Sequence, residues 1–456
     1  MVRIYLQDFG PFENVDLELK PLTVFVGKNS AGKSILLYLI WALSSAEPSI
    51  DEVRVGWESV NQIAEKLVEE VGNGRISRED FEEFVKTFYK NVFIEAVRIG
   101  LKERLKHTFG VELKELIRMN RDKAVIEIYG DCSKIKLSIT EKLDIEELDM
   151  CIDNMLRDTE IKVKKKGNLT VRYREFDPKK FKISSVTDLT DLAIDLLVFH
   201  TFEEFKKFVF TTSLVSFMLP DSRAGITRTL LKPYLTPSLL EGILGVDKEY
   251  ISLYFRLAEQ LYKNPQVLEY VKPLLNELGA YIESKFEYGV YNIYVKSWSG
   301  KVLPITMASS GVREILPVVL ALLMEELGPI NVFIEEPEAH LHPRAQMLFA
   351  RVIARAINND KYVFITTHSD YLISALNNLI VLSQLPIDKR KELGYEYDEV
   401  LSPDSVATYL IKIEGDKALV EKLQVTEDGI PEDEFGRIAE ELLGERGKIY
   451  EALESV

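Results

Sequence analysis

The 456-residue chain is 46% hydrophobic and 29% charged, the balance of a folded protein with a sizeable core and not of a disordered one. Its length predicts two or three domains or lobes at roughly 100–200 residues each, and its longest apolar runs, Ile35–Leu43 and Leu316–Met324, reach only about half of the roughly 18 residues that a membrane-spanning helix needs. A net charge of −16 argues against a surface that coats nucleic acid non-specifically and confines any such contact to a local basic patch.

The chain opens directly into a strand pattern without the basic and apolar regions of a secretory signal, which predicts a cytoplasmic protein. Val2–Leu6, Val15–Leu19 in strict alternation and the apolar run Leu22–Val26 read as strands. Gly27 to Ser34 is a glycine-rich loop, and Ser34–Leu43 is helix-compatible. After Pro48 the chain turns mixed and charge-rich to about residue 205, an inserted α+β region with helical patterns at Val60–Val71 and Arg78–Leu105. That region also holds two hairpins, Lys123–Ile139 and Glu160–Glu175, the second turning at Gly167-Asn168. An apolar strand pattern resumes at Phe208 and leads into a turn sequence, Leu219–Gly225. Residues 232–284 read as helical, and Lys285–Thr306 as a hairpin around Trp298-Ser299-Gly300. A helix opened by Ala308-Ser309-Ser310-Gly311 runs to about Leu327. An apolar strand (Asn331–Ile334), a helix after Pro343, a second apolar strand (Tyr362–Thr366) and a charged tail complete the chain. Alternating strands and helices with charged chemistry at strand ends predict an α/β fold, with a site at the carboxyl edge of a mostly parallel sheet. Cys132 and Cys151 form neither a disulfide framework nor a zinc set and read as small hydrophobes. Seven glutamines against 57 basic and 73 acidic residues is a bias known from hyperthermophile proteins and points to a hot-living source.

Four motifs carry chemistry. Gly27-Lys28-Asn29-Ser30-Ala31-Gly32-Lys33-Ser34 fits G-x-x-x-x-G-K-S between a strand and a helix. In that setting Gly27, Asn29, Ser30, Ala31 and Gly32 turn backbone N–H groups toward phosphates, Lys33 reaches the β- and γ-phosphates, and Ser34, followed by Ile35, supplies a magnesium ligand. Val332-Phe333-Ile334-Glu335-Glu336 is an apolar strand ending in paired carboxylates, Glu335 for the metal and Glu336 for the attacking water. Asp is the commoner residue at the first of these positions. His368 follows the strand Tyr362–Thr366, in reach of a γ-phosphate. Ser309, Ser310 and Gly311 open a helix whose bare N-terminus suits an anion. His340 and His342 lie near Glu336 and Glu338, but no further ligands complete a zinc set.

In this order the motifs resemble the ABC-type ATPase heads of the chromosome-maintenance (SMC), recombination (RecF) and OLD (overcoming lysogenization defect) families, and in particular stand-alone AAA-type ATP-binding proteins whose Walker B reads E-E-P-E-A-H-L-H-P, as Glu335–Pro343 does. The resemblance implies a P-loop NTPase head (residues 1–45 and 206–456, helical lobe about 226–284) with an N-terminal antiparallel β-subdomain, interrupted by the inserted region 46–205. It further implies ATP and Mg2+ as cofactors, ATP hydrolysis, and a homodimer on ATP binding in which Ala308–Gly311 meets the γ-phosphate held by a second subunit. Glu338–His342 becomes the D-loop, His368 the switch histidine, and Pro220–Arg223 falls at the Q-loop position without a glutamine. Residues 35–307 hold no sustained heptads and no C-x-x-C, which excludes SMC-like arms and a zinc hook. Leu410–Lys417 looks like the start of a Toprim nuclease domain, but no strand ending in D-x-D follows. A hairpin, Thr408–Ile413 with Leu419–Val425, is the simpler reading, and nuclease chemistry is then absent from the chain.

Two readings stay open. The protein is an ATPase of DNA repair or phage defence acting with a separately encoded effector, or an ATP-gated scaffold with negligible turnover; a transporter subunit is disfavoured by the insertion. Lys162, Lys164, Lys166, Arg172 and Arg174 form a basic ladder on one face of the second hairpin, with like charges opposite one another. That ladder suits a DNA backbone, an acidic partner, or protection of a sheet edge against aggregation.

Overall fold

The computed structural model describes residues 2–164, 167–173, 178–204, 216–229, 245–287, 289–324, 331–432, 443–446, 448–450 and 453. The chain divides into two compact units, unit 1 comprising Met1–Leu19, Tyr38–Ser216 and Glu414–Leu419, and unit 2 comprising Lys20–Leu37, Phe217–Ile413 and Val420–Val456. In chain order the strands are β1 (Val2–Phe9), β2 (Phe12–Leu19), β3 (Leu22–Gly27), β4 (Ala124–Tyr129), β5 (Lys134–Ile139), β6 (Leu143–Asp149), β7 (Thr159–Lys164), β8 (Asn168–Tyr173), β9 (Lys179–Lys182), β10 (Ser216–Leu219), β11 (Ala280–Glu287), β12 (Val290–Ser297), β13 (Val302–Pro304), β14 (Asn331–Glu335), β15 (Tyr362–Thr367), β16 (Val406–Glu414) and β17 (Lys417–Leu423). Among the described residues no helix is long and apolar enough to cross a membrane.

Unit 1 is built on an antiparallel run in the order β2-β1-β4-β5-β6. Period-two alternation buries Val2, Ile4, Leu6 and Phe9 of β1 on one side. Helix Trp57–Gly72 buries Val60, Ala64, Leu67 and Val71, a single stripe at helical spacing. The helix expected at Arg78–Leu105 is interrupted by a π-helical segment, Tyr89–Phe93, in which Tyr89, Val92 and Phe93 stay buried, and its last part, Ile94–Phe109, ends on a left-handed Gly110. Gly100 allows that last helix to touch the backbone of Glu47, because a Cβ there would stand 1.8 Å from the carbonyl oxygen.

Cys132 and Cys151 correct the sequence reading: they are joined as a disulfide with Cα atoms 6.3 Å apart, Cys132 exposed and Cys151 half-buried. Two cysteines alone cannot reveal that β5, β6 and the segment after them bring residues 19 apart into bonding range. The second hairpin is present as β7–β8, extended by β9 into a three-stranded sheet. Its register places Lys162 opposite Thr170, Lys164 opposite Asn168 and Arg172 opposite Glu160, so the expected like-charge pairs do not form there. Lys180 and Lys182 of β9 join the same face opposite Thr170 and Asn168. Lys166 and Arg174 lie outside the described residues, as does the side chain of Lys164.

Unit 2 holds the parallel sheet, in the order β10-β14-β15-β3-β16, with β14, β15, β3 and β16 all parallel. Its strands are buried on both faces, and stacked rings cross the ladder: Phe333 on Phe364 at 4.5 Å and Phe25 on Tyr409 at 5.9 Å. The expected charged tail is corrected in part, since it contributes helices Asp370–Leu382 and Ile387–Glu392 and the core strand β16. β16 turns into β17 at Gly415-Asp416, and Lys412 pairs with Glu421 at 2.9 Å, as the hairpin reading requires. Helical structure expected across 232–284 is described at Gly245–Lys263, Pro265–Val271 and Lys272–Glu277, after which β11 begins at Ala280. The expected hairpin at 285–306 is a three-stranded meander, β11-β12-β13, whose first turn is at Gly289. The turn expected at Leu219–Gly225 is the end of β10 followed by helix Arg223–Thr229. The strand pattern expected from Phe208 to residue 215 lies outside the described residues, and the helix expected to run to about Leu327 ends at Leu323, with Met324 extended.

Candidate active site

Every residue of the site belongs to unit 2. β3 ends at Gly27, whose φ is +143° and whose missing Cβ admits the neighbouring β16, since a Cβ would stand 2.3 Å from Ile411 O. Ser30 (φ +60°) and Gly32 (φ +103°) take left-handed turns, and Ala31 N–H donates to Lys28 O at 3.3 Å, closing the loop. Helix Lys33–Ser44 then starts with no acidic residue in its first turn, so its positive end faces the loop uncompensated. Lys28, Asn29 and Ser30 are exposed, Ser34 and Ile35 are half-buried, and Lys33 is buried. The Lys33 ammonium donates to Gly27 O at 3.1 Å and Lys28 O at 3.0 Å. Burial pushes its pKa down, against the opposing pull of Glu336, Glu338 and Glu335, so all three carboxylates act on the phosphate-loop lysine.

Those carboxylates arrive on β14, and β15 lies between β14 and β3. The end of β15 therefore stands between the paired glutamates and the loop. Glu335 is 3% exposed and its Oε2 accepts the Asp221 N–H at 3.3 Å, which brings the Pro220–Arg223 segment to the strand end. Glu336 turns out of the strand at φ +40°, held by its N–H donating to Thr366 O at 3.0 Å and to Thr366 Oγ1 at 3.2 Å. Its Oε1 lies 3.2 Å from His368 Nε2, and this partner draws the Glu336 carboxyl below its ordinary pKa despite partial burial. Glu338 Oε1 accepts from Thr367 Oγ1 at 2.7 Å and from His368 N–H at 2.8 Å, fixing the backbone that carries the histidine. Burial pushes the Glu338 carboxyl up.

Ser309 is exposed and caps helix Ser310–Leu323 by accepting the Val312 N–H at 3.4 Å, while Arg313 folds back onto the carbonyl of Ala308. Gly311 packs against the turn after Glu338: a Cβ would stand 2.9 Å from His340 O. His340 has φ +61° and is exposed, and His342 caps helix Pro343–Asn358 through Arg344 N–H at 3.4 Å. The structure thus brings Lys33, Glu335, Glu336, Glu338 and His368 together and joins the Ser309–Gly311 segment to them through the His340 turn. A hard cation would find oxygen donors of the right kind in Ser34 and Glu335, few enough to leave it water and phosphate ligands, as Mg2+ requires.

Sequence reading missed the centre of this arrangement. Arg223 is fully buried and its Nη1 donates to Glu335 O and Pro220 O, each at 2.6 Å, and to Leu219 O at 3.1 Å, while Nη2 donates to Glu336 O at 3.3 Å. Its partner is Glu314, 2% exposed, with Oε2 3.0 Å from Arg223 Nε and Oε1 accepting the Ala224 N–H at 3.0 Å. Burial pushes the Glu314 carboxyl up and Arg223 opposes that shift. The available signal was one charge, Glu314, just ahead of the apolar run Ile315–Leu323, since a lone charge at such a place demands a buried partner.

A glycine-rich loop between β3 and a helix, with paired glutamates at the end of a parallel strand two positions away in the sheet, is the arrangement of the P-loop NTPase fold. The family model "AAA domain, putative AbiEii toxin, Type IV TA system" matches residues 22–374, well over half of the sequence, and the chain belongs to that family. Similar solved structures include an SMC head bound to the C-winged helix domain of ScpA (11% identity, 93% of this chain and 98% of that one, TM-score 0.42). The SMC head domain from Thermotoga maritima is similar at 10% identity over 93% and 98% of the two chains with TM-score 0.36. The Smc head domain with an extended coiled coil bound to the C-terminal domain of ScpA, from Pyrococcus furiosus, is similar at 11% identity over 97% and 100% with TM-score 0.41. No curated protein matches the chain.

Proposed function

We propose that the protein is a magnesium-dependent ATPase that works as a head-to-head dimer in DNA repair or phage defence, with residues 1–45 and 206–456 as the head, 46–205 as an accessory region and the effector encoded separately. The observation that carries this reading is the Glu336–His368 contact of 3.2 Å at the end of β15, the strand between the glutamates and the phosphate loop. Gly27–Gly32 N–H groups and the helix start bind the phosphates, and Lys33 leaves its loop carbonyls for the β- and γ-phosphates. Ser34 and Glu335 hold Mg2+, which when bound neutralises phosphate charge. Glu336, kept ionised by His368, accepts a proton from the water that attacks the γ-phosphorus, and His368 can donate to the γ-phosphate oxygens. Ser309–Gly311 serves the nucleotide of the second subunit.

Steady-state phosphate release, with and without DNA, tests the reading. Turnover that disappears in Lys33→Ala supports it, and retention of ATP without turnover favours an ATP-gated scaffold instead. For the dimer, mixing Ser309→Arg with Lys33→Ala protein should restore partial activity, because one intact composite site forms per heterodimer. Mixtures as inactive as either parent contradict the shared site.

A further inference from the structure

The Arg223–Glu314 pair touches both halves of the proposed machinery. On one side, the guanidinium holds the carbonyls of Glu335 and Glu336, the residues proposed for metal and water. Glu336 sits at φ +40°, a conformation that side-chain-bearing residues keep only when neighbours hold it, and Arg223 on its carbonyl and Thr366 on its N–H do so. On the other side, Glu314 lies one turn into the helix that Ser309 caps, so the carboxylate moves with Ser309–Gly311. Arg223 Nε and Glu314 Oε2 are 3.0 Å apart but misaligned for a hydrogen bond, and neither atom has another hydrogen-bond partner among the described residues. A pairing of this kind, buried and charged yet unaligned, changes strength with a small shift of the helix.

We propose that Arg223 and Glu314 are a positioning pair that carries the placement of the Ser309–Gly311 helix start to the Glu335–Glu336 turn. The link rests on the ATPase reading above and adds to it a route by which the nucleotide contacted through Ser309 sets the general base of the same chain. Both side chains are buried on protein partners and lie outside the residues proposed to bind nucleotide, so the pair governs the rate of hydrolysis and not the capture of ATP.

The test is a double-mutant cycle on the full chain, read by mant-ATP titration and single-turnover hydrolysis. Glu314→Gln keeps the side-chain volume and an acceptor for Ala224 while removing the charge that faces Arg223. It should bind mant-ATP within about twofold of wild type and hydrolyse it roughly tenfold or more slowly. Adding Ser309→Ala, which removes the cap of the helix without blocking the shared site, to Glu314→Gln should then cost less than about threefold further, because both changes cut one route. Independent losses that multiply, or hydrolysis by Glu314→Gln within about twofold of wild type, overturn the link. Where the melting curve shows Glu314→Gln unfolded, Arg223→Lys, which keeps the charge but spans fewer carbonyls, takes its place in the cycle. Wild type that fails to bind or hydrolyse mant-ATP overturns the ATPase reading, and this link with it, before any variant is compared.

Discussion

The two units both carry dense charge, but they spend it in different places. On β4, β5 and β6 of unit 1, Lys136 meets Glu127 at 2.9 Å and Lys134 meets Glu147 at 2.6 Å, with every partner partly open to solvent. In unit 2, Arg223, Glu314, Lys33 and Glu335 are buried, and each points at a strand end or at the phosphate loop. Solvent screens the first set and the long side chains lose entropy when paired, so such pairs add little. The second set has surrendered its hydration and must recover it from named carbonyls, N–H groups and counter-charges. Burial alone does not mark the site, since Arg118 of unit 1 and Lys361, Asp398 and Glu399 of unit 2 are buried too; what marks it is that Lys33, Arg223, Glu314 and Glu335 converge on one strand end and the loop beside it.

Breaking one pair in each unit gives the widest separation. Arg223→Met leaves Glu314 buried without its counter-ion and should cost about 3–5 kcal/mol, whereas Lys134→Ala in unit 1 should leave the melt close to that of wild type. Denaturant melts of both variants check this. Equal costs would erase the distinction between the two charge sets.

A smaller effect concerns pH. His368 holds the Glu336 carboxyl below its ordinary pKa, so the base stays ionised as pH falls, and the stability contributed by its ionised form is present above the unfolded value and lost as pH falls through the depressed folded one. In His368→Ala the depressing partner is gone and the folded pKa rises. The acid limb of kcat/KM should therefore move to higher pH than in wild type. An unmoved limb would show that Glu336 is not the group being titrated.

How much of this was readable from sequence divides along the same line. The P-loop, the Walker B strand and the strand before His368 were legible because their chemistry is local: a glycine pattern between strand and helix, an apolar run ending in acids, a histidine at a strand end. The long-range bonds that assemble them were not. Arg223 lay in a stretch that reads as a turn, and its carbonyl partners on Glu335 and Glu336 are 112 and 113 residues away. β16 was legible as one arm of a hairpin but not as the parallel neighbour of β3, because its partner Leu22–Gly27 lies at the other end of the chain. In unit 1, β9 and the disulfide were missed at much shorter range, since β9 pairs with the strand just before it and the cysteines are 19 residues apart, and the basic ladder changed character once the register set Arg172 against Glu160.

The smallest expected effect tests whether any surface charge of unit 1 has a use. Lys162, Arg172, Lys180 and Lys182 share one face of the β7–β8–β9 sheet. If that face meets duplex DNA, neutralising two of the lysines should flatten the salt dependence of binding by about 0.9 log unit per log salt for each phosphate that the variant leaves unneutralised. ATP turnover without DNA should be unchanged. A wild-type slope in the variant would return the face to an edge guard or a dock for an acidic protein.

The most direct test of the central claim is Glu336→Gln, measured for mant-ATP retention and phosphate release on the same sample. The amide preserves the shape of the turn and removes the base, so nucleotide should be bound as tightly as in wild type or tighter while turnover falls by about 10²–10⁴-fold. Turnover at the wild-type rate would remove Glu336 from the mechanism and, with it, the account of how unit 2 uses its buried charge.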